Sequence, residues 1–426
     1  MFAIYGVLLL VIIIFLLHIW IHNEGVLCLF SYGRIGLIIW TFALGLYDLN
    51  LSELYNPDLL INIMGTIVIL NYFLLLKIIP NDNKKFVDIC KNIETPKRGF
   101  LIAVYFTLFL GIMAFVKNLN SGLLRYFISN KGMRAEIQSS YFFAALVVVS
   151  ICFYILFREE KRKHRKYVYL LLAVISIFME FTNMARGPIL FWIVGVVFYE
   201  VTRYSIKQNS LKLSYKQLIV ILLIILIGIW GFGEIGDSRV KTVFGMTATE
   251  YYKMPAKCPS GVTWVYIYLT SPMENMRYSF HNDTVSQYGY FNKLLYPAIK
   301  FIANIIGQGN QYSYYVNSIN SITPYLWNKV GLNMSSFMAN AYLDAGYLGI
   351  IVYLFIYDVI GVIAHKITIS KTISNISKII ILPLLFEIPL WSVFTSSILG
   401  VSSIWSNIFF VLIWNLGNRI ILKRRN

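Results

Sequence analysis

A chain of 426 residues that is 58% hydrophobic and only 13% charged cannot easily cover a water-facing surface. Soluble domains of such size keep roughly a quarter of their residues charged. Mean hydropathy is +0.66, and the apolar residues come in blocks rather than in alternation. That pattern disfavours a transmembrane β-barrel and favours helices long enough to cross about 30 Å of hydrocarbon. The formal net charge of +17 raises nucleic acid or anionic lipid as partners. In a membrane protein the position of Lys and Arg matters more than their sum, because short-loop cations set orientation; no nucleic-acid partner is expected.

In chain order, apolar blocks fall at about 2–21, 26–47, 59–79, 100–116, 140–157, 167–185, 187–202, 217–233, 341–364, 379–398 and 403–421. Phe2–Ile21 lacks a basic leader and a small-residue cleavage site before Asn23 and Glu24, so it reads as a retained helix. Basic clusters lie in Lys84–Arg98, Arg158–Lys166, Arg203–Lys216, His365–Lys378 and Lys423–Arg425. Simple alternation of the spans puts all of them on one side, which makes that side the cytoplasm. The N-terminus is then outside and the C-terminus inside.

The expected fold class is therefore an all-α polytopic membrane protein with about eleven transmembrane helices. Residues 1–233 carry spans one to eight. Residues 234–340 form a large extracytoplasmic (periplasmic) loop, and 341–426 carry spans nine to eleven and a basic cytoplasmic tail. Four scattered cysteines (Cys28, Cys90, Cys152, Cys258) show no metal-ligand spacing and read as ordinary thiols.

Two outer loops are longer than the rest, Lys117–Ser139 and Glu234–Asn340. The second is rich in Tyr and Trp, which disordered segments avoid. Within it Leu294, Leu295, Ala298, Ile299, Ile302, Ile305 and Ile306 repeat at helical spacing, with Pro297 in the first turn. The stripe at 294–306 fits an interfacial helix lying on the membrane, or a helix packed in the loop's own core.

Outer cations need a reason to be there. Arg125, Lys131 and Arg134 lie in the shorter loop, Arg186 in the hairpin Asn183-Met-Ala-Arg-Gly-Pro188, and Arg239 and Arg277 in the long one. Arg186 has almost no aqueous loop around it. It either pairs with Glu180 or binds an anion beside the helix start at Pro188. Arg239 follows Gly231, Gly233 and Gly236, which let the chain leave the helix and bring backbone N–H groups to a ligand; alternatively Asp237 neutralises it. Arginine forks suit phosphate oxygens. His281, in Arg277-Tyr-Ser-Phe-His281, is the one histidine of the long loop and a candidate base. Asp344 opens the ninth span, where a carboxylate also steadies a helix start. Glu387, between Pro383 and Pro389, and Asp358 are either structural polar groups or proton sites. No Walker loop, dinucleotide fingerprint, zinc-protease motif or nucleophile elbow is present.

The hairpin Asn183-Met-Ala-Arg186-Gly-Pro, Arg239 after the next span, the very large outer loop, and Asn333-Met-Ser-Ser-Phe-Met-Ala-Asn-Ala-Tyr-Leu-Asp344-Ala-Gly-Tyr-Leu-Gly349 together resemble the bacterial O-antigen and capsule repeat-unit polymerases of the Wzy type. A more distant likeness is to the O-antigen ligases. The resemblance covers about 140–364, mostly as layout. It implies a GT-C-like glycosyltransferase architecture in the bacterial inner membrane. The implied reaction transfers a growing glycan from undecaprenyl diphosphate to a sugar hydroxyl of a lipid-linked repeat unit. His281, Arg186 and Arg239 would be catalytic, and Arg125, Arg134, Arg277, Asp344 and Glu180 would bind substrate. No cofactor and no metal are implied; partners are the lipid-linked oligosaccharide, membrane lipid and a candidate chain-length regulator protein. The ligases place glycine at a fixed spacing after their loop histidine, whereas here Gly289 follows His281 by eight residues. Rival readings are a flippase or other transporter, which would use Glu387 and Asp358, and an O-antigen ligase.

Overall fold

Where water is absent, a backbone satisfies its own polar groups by forming helices, and most of the described residues of this chain do so. A computed structural model describes residues 1–80, 82–120, 141–182, 186–208, 215–282, 325–332, 334–395 and 402–420, with isolated positions between 291 and 311. Among these residues the structure is helical and contains no strand. The helices are α1 (Phe2–Glu24), α2 (Tyr32–Asp48), α3 (Leu59–Ile78), α4 (Asn83–Lys91), α5 (Arg98–Asn120), α6 (Tyr141–Ala144), α7 (Leu146–Glu159) and α8 (Lys163–Phe181). They continue with α9 (Arg186–Gln208), α10 (Tyr215–Phe244), α11 (Ala248–Tyr251), α12 (Ser260–Asn282), α13 (Tyr325–Val330), α14 (Phe337–Ile369), α15 (Asn375–Trp391) and α16 (Ser402–Ile420).

Every apolar block carries helix in its described part. Five segments, Phe2–Glu24, Leu59–Ile78, Arg98–Leu119, Tyr141–Glu159 and Phe337–Ile369, are long and apolar enough to cross a membrane. Their outward faces carry exposed Ile4, Leu8, Leu70, Leu74, Ile102, Phe106, Ile351 and Phe355. Apolar surface on that scale needs a cover other than water, and the architecture is compatible with a multi-pass membrane protein. α15 runs through the middle, with every residue from Ile376 to Pro389 buried, as expected of a helix that is apolar all round. Single interhelical hydrogen bonds tie the spans together: Tyr5–Thr66 at 2.6 Å, Trp40 Nε1 to Ser392 Oγ at 2.7 Å, Asn71 to Asp358 at 2.8 Å and Trp414 Nε1 to Thr107 Oγ1 at 2.9 Å. Such bonds are each worth about 0.6 kcal/mol in a bilayer.

The two ends of the bundle differ in chemistry. At the basic end, Arg158 meets Glu200 at 2.7 Å, His365 meets Asp82 at 2.7 Å and Arg34 meets Glu24 at 2.7 Å. Asn375 there donates to the Asn92 carbonyl and the Lys97 N–H donates to Asn418. Four of the expected basic clusters thus gather at one end. The opposite end, called here the loop end, gathers 47–58, 237–282 and 326–344.

Two expectations about helix boundaries are corrected. α10 does not stop near Gly233 but continues to Phe244, so the glycines before Arg239 are not an exit from the helix. They are a crossing point. A Cβ on Gly233 would lie 2.4 Å from the Gly261 nitrogen, and one on Gly236 would lie 2.1 Å from the Trp264 ring. Absent side chains let α10 and α12 touch backbone to backbone. The ninth span is also different: α14 breaks at Ala345–Gly346, with Gly346 at φ 62°. Asp344 therefore closes a two-turn helix from Phe337 instead of opening the span.

Gly233→Ala should cost about 1–3 kcal/mol, because overpacking at a backbone contact cannot be relieved by a rotamer change. Gly231→Ala is the matched control, since its Cβ would meet nothing within 4 Å and a helical Gly→Ala change alone gains up to about 1 kcal/mol. Thermal unfolding in detergent checks this. Equal behaviour of the two variants would contradict the crossing.

Candidate functional site at the loop end

The site is built on α12, whose middle is a run of buried residues in the order Thr270-Ser-Pro-Met-Glu274-Asn275-Met276. A carboxylate in such surroundings needs donors, since burying an unpaired charge is costly. Glu274 has four. Its Oε2 accepts from the Tyr47 hydroxyl at 2.6 Å and from the Asn56 N–H at 3.1 Å. Its Oε1 accepts from Arg277 Nη2 at 2.7 Å and Nε at 3.1 Å. The Glu274 side chain is 0% exposed and that of Arg277 is 18% exposed. The Glu274 carboxylate holds the Arg277 guanidinium above its ordinary pKa, so this residue is a fixed cation at the surface of the loop end.

The neighbouring Asn275 faces another segment. Its Nδ2 donates to the Leu332 and Met334 carbonyls, at 3.1 and 2.6 Å, and its Oδ1 accepts from the Leu326 N–H at 2.9 Å. One turn beyond Arg277, His281 meets Asp58 with an Nε2–Oδ2 distance of 2.7 Å. Arg277 and His281 are four residues apart on one helix and so share a face.

Three aromatic side chains of the long loop are packed inside it. Tyr252, Trp264 and Tyr266 are buried. Tyr55 stacks on Tyr266, Tyr252 packs edge-on to Trp264, and the Tyr266 hydroxyl accepts from the Leu51 N–H at 2.9 Å. They glue the connection between α2 and α3 to α12. Asp237 is likewise committed: its Oδ1 accepts from the Ala248 N–H at 2.9 Å and its Oδ2 from the Ser260 hydroxyl, at the starts of α11 and α12.

Other expected site residues fall as follows. Arg186 is the first residue of α9 and Arg239 lies inside α10; their side chains are outside the described residues, as are Arg125, Lys131 and Arg134. Glu180 is buried near the end of α8. Asp344 is fully buried and accepts from the Leu294 N–H at 3.0 Å and from the Tyr353 hydroxyl at 2.9 Å. Its contacts hold the loop to the span and leave no exposed surface for a sugar. Of the stripe at 294–306, Leu294, Leu295, Ile299 and Ala303 are described and helical. Leu294 packs on the core while Leu295 is exposed.

Four residues that sequence patterns did not single out, Tyr47, Asn56, Asp58 and Glu274, complete the site. Asp58 alone left a local signal, as a helix cap before the apolar run at Leu59. Among the described residues no three His, Cys, Asp or Glu side chains come together as a metal-ligand group. The chain matches no known family model, no characterised protein and no solved structure. A half-buried cation one turn from an imidazole can hold an anionic group while the ring receives a proton next to it.

Removing either half of the Glu274–Arg277 pair leaves a charge without its partner. Glu274→Ala and Arg277→Ala should each cost roughly 3 kcal/mol, the low end for a broken buried pair because Arg277 keeps some water. The double variant should lose less than the sum, a non-additivity that unfolding measurements on all three proteins would read.

Proposed function

We propose that this chain is a membrane glycosyltransferase of the bacterial inner membrane that joins undecaprenyl-diphosphate-linked repeat units into O-antigen or capsular polysaccharide. In this reading all eleven apolar blocks span the membrane, and the loop end is the outer face. The resemblance of the sequence to Wzy-type polymerases motivates the reading. The observation that carries it is the placing of half-buried Arg277 and exposed His281 one turn apart on one helix face, at the end of an apolar bundle whose sequence has no nucleotide-binding motif. Energy then comes from the diphosphate leaving group of a lipid-linked donor.

Each residue has a role in this scheme. The guanidinium groups of Arg186 and Arg239 hold the donor diphosphate and offset the charge that develops as it leaves. Arg277, fixed by Glu274, adds a third cation. His281 takes the proton of the acceptor hydroxyl. Buried Glu387 in the central α15 favours a transporter instead, and the two readings differ in product.

Purified protein given only lipid-linked repeat units should lengthen them without nucleotide, ion gradient or added metal. Arg186→Ala should abolish long chains while the protein still accumulates, and Arg186→Lys should be impaired, since a point charge replaces a fork. A transporter would move the units and leave their length unaltered. If repeat units stay unjoined where a known polymerase joins its own, the enzyme reading fails.

A further inference from the structure

Asp58 has two oxygens with two different jobs. Its Oδ1 caps α3 by accepting from the Ile61 N–H at 2.9 Å. Its Oδ2 lies 2.7 Å from His281 Nε2, a contact across 223 residues of chain. An ionised carboxylate only accepts hydrogen bonds, so the ring hydrogen between the two sits on Nε2. In the neutral ring the lone pair is then on Nδ1. The His281 side chain is 47% exposed and that of Asp58 is 27% exposed, so the imidazole meets solvent while its partner is half covered. Among the described residues, the other charged groups at this spot are Arg277, one turn earlier, and Glu274, which Arg277 and the Tyr47 hydroxyl both engage.

This is the geometry of a base oriented by a third group: the carboxylate fixes tautomer and ring direction, and the free nitrogen does the chemistry. We propose that Asp58 is a positioning residue that holds His281 in the tautomer whose Nδ1 accepts the proton of an acceptor hydroxyl. The inference rests on the polymerase reading for the identity of that hydroxyl, a sugar hydroxyl of a lipid-linked unit. In the step, the hydroxyl oxygen bonds to the anomeric carbon of the donor and its proton passes to Nδ1. The bond from the anomeric carbon to the diphosphate oxygen breaks, and the diphosphate leaves with the electron pair. The first outer connection, which holds no other candidate catalytic group, thereby becomes part of the reaction centre.

The cap and the dyad can be separated. Asp58→Ser keeps a side-chain oxygen for the helix start, as good a cap as aspartate, but has no carboxylate for His281. Its unfolding temperature should match the parent. In the extension assay Asp58→Ser and His281→Gln should each lower kcat by about 100-fold or more, the usual contribution of general-base catalysis. KM should change little, and the double variant should be no slower than His281→Gln alone. A second readout needs no activity. With the histidines labelled with 15N, five signals pairs are expected from the chain's five histidines, and His281 is assigned by their comparison with the His281→Gln spectrum. Ring 15N shifts should report a single Nε2–H tautomer in the parent and a mixture in Asp58→Ser. Full activity of Asp58→Ser beside an inactive His281→Gln would overturn the positioning role. If the parent itself joins no units, the polymerase reading falls, and the spectra decide alone: unchanged His281 shifts in Asp58→Ser overturn the dyad, and a lost tautomer preference upholds it.

Discussion

Two adjacent side chains at the middle of α12 organise the whole loop end. Glu274 collects Tyr47 from α2, the Asn56 N–H from the connection between α2 and α3, and Arg277 from its own helix. Asn275 collects the backbone at Leu326, Leu332 and Met334. Both are completely buried, so each donor and acceptor met there substitutes for water that is gone. Without them α12 would lose its buried polar ties to α2, to the connection that follows it and to the segment before α14. Arg277 would then have no fixed direction.

The constraint below this layer is apolar. The spans turn Leu, Ile and Phe outward as well as inward, so area burial between helices gives little drive of its own, and close packing with a few interhelical hydrogen bonds takes its place. Glycine makes that closeness possible where α10 and α12 cross. The break at Ala345–Gly346 serves a related end: it ends a short helix on Asp344, whose carboxylate then fastens the backbone at Leu294. Among the described residues, the buried polar groups Asp237, Glu274, Asn275 and Asp344 all hold connections in place.

Much of the fold was legible in the sequence because it depends on local runs. Each apolar block carries helix in its described part, and basic clusters far apart along the chain meet at one end, as alternation requires. The site was legible only in fragments. His281 stood out as a histidine among few, and Arg277 as an outer cation, yet neither showed its carboxylate. Nothing in Asn56-Pro57-Asp58 announces a contact with His281, because the pair is made by folding across most of the chain. Glycines misled for a physical reason: the residue that lets a backbone turn also lets two backbones touch, and composition alone does not separate these uses.

The functional account turns on which way the loop end faces. A catalytic layer for lipid-linked glycans belongs on the outer surface, opposite the basic clusters. Cys258, at the loop end before α12, is partly exposed, while Cys28, Cys90 and Cys152 are buried. A membrane-impermeant maleimide applied to intact cells should therefore label the native chain at Cys258. A cysteine placed at Lys161, in the exposed connection before α8, should label only after the membrane is opened. Labelling in the reverse pattern would put the Arg277–His281 face in the cytoplasm and contradict the account at its root.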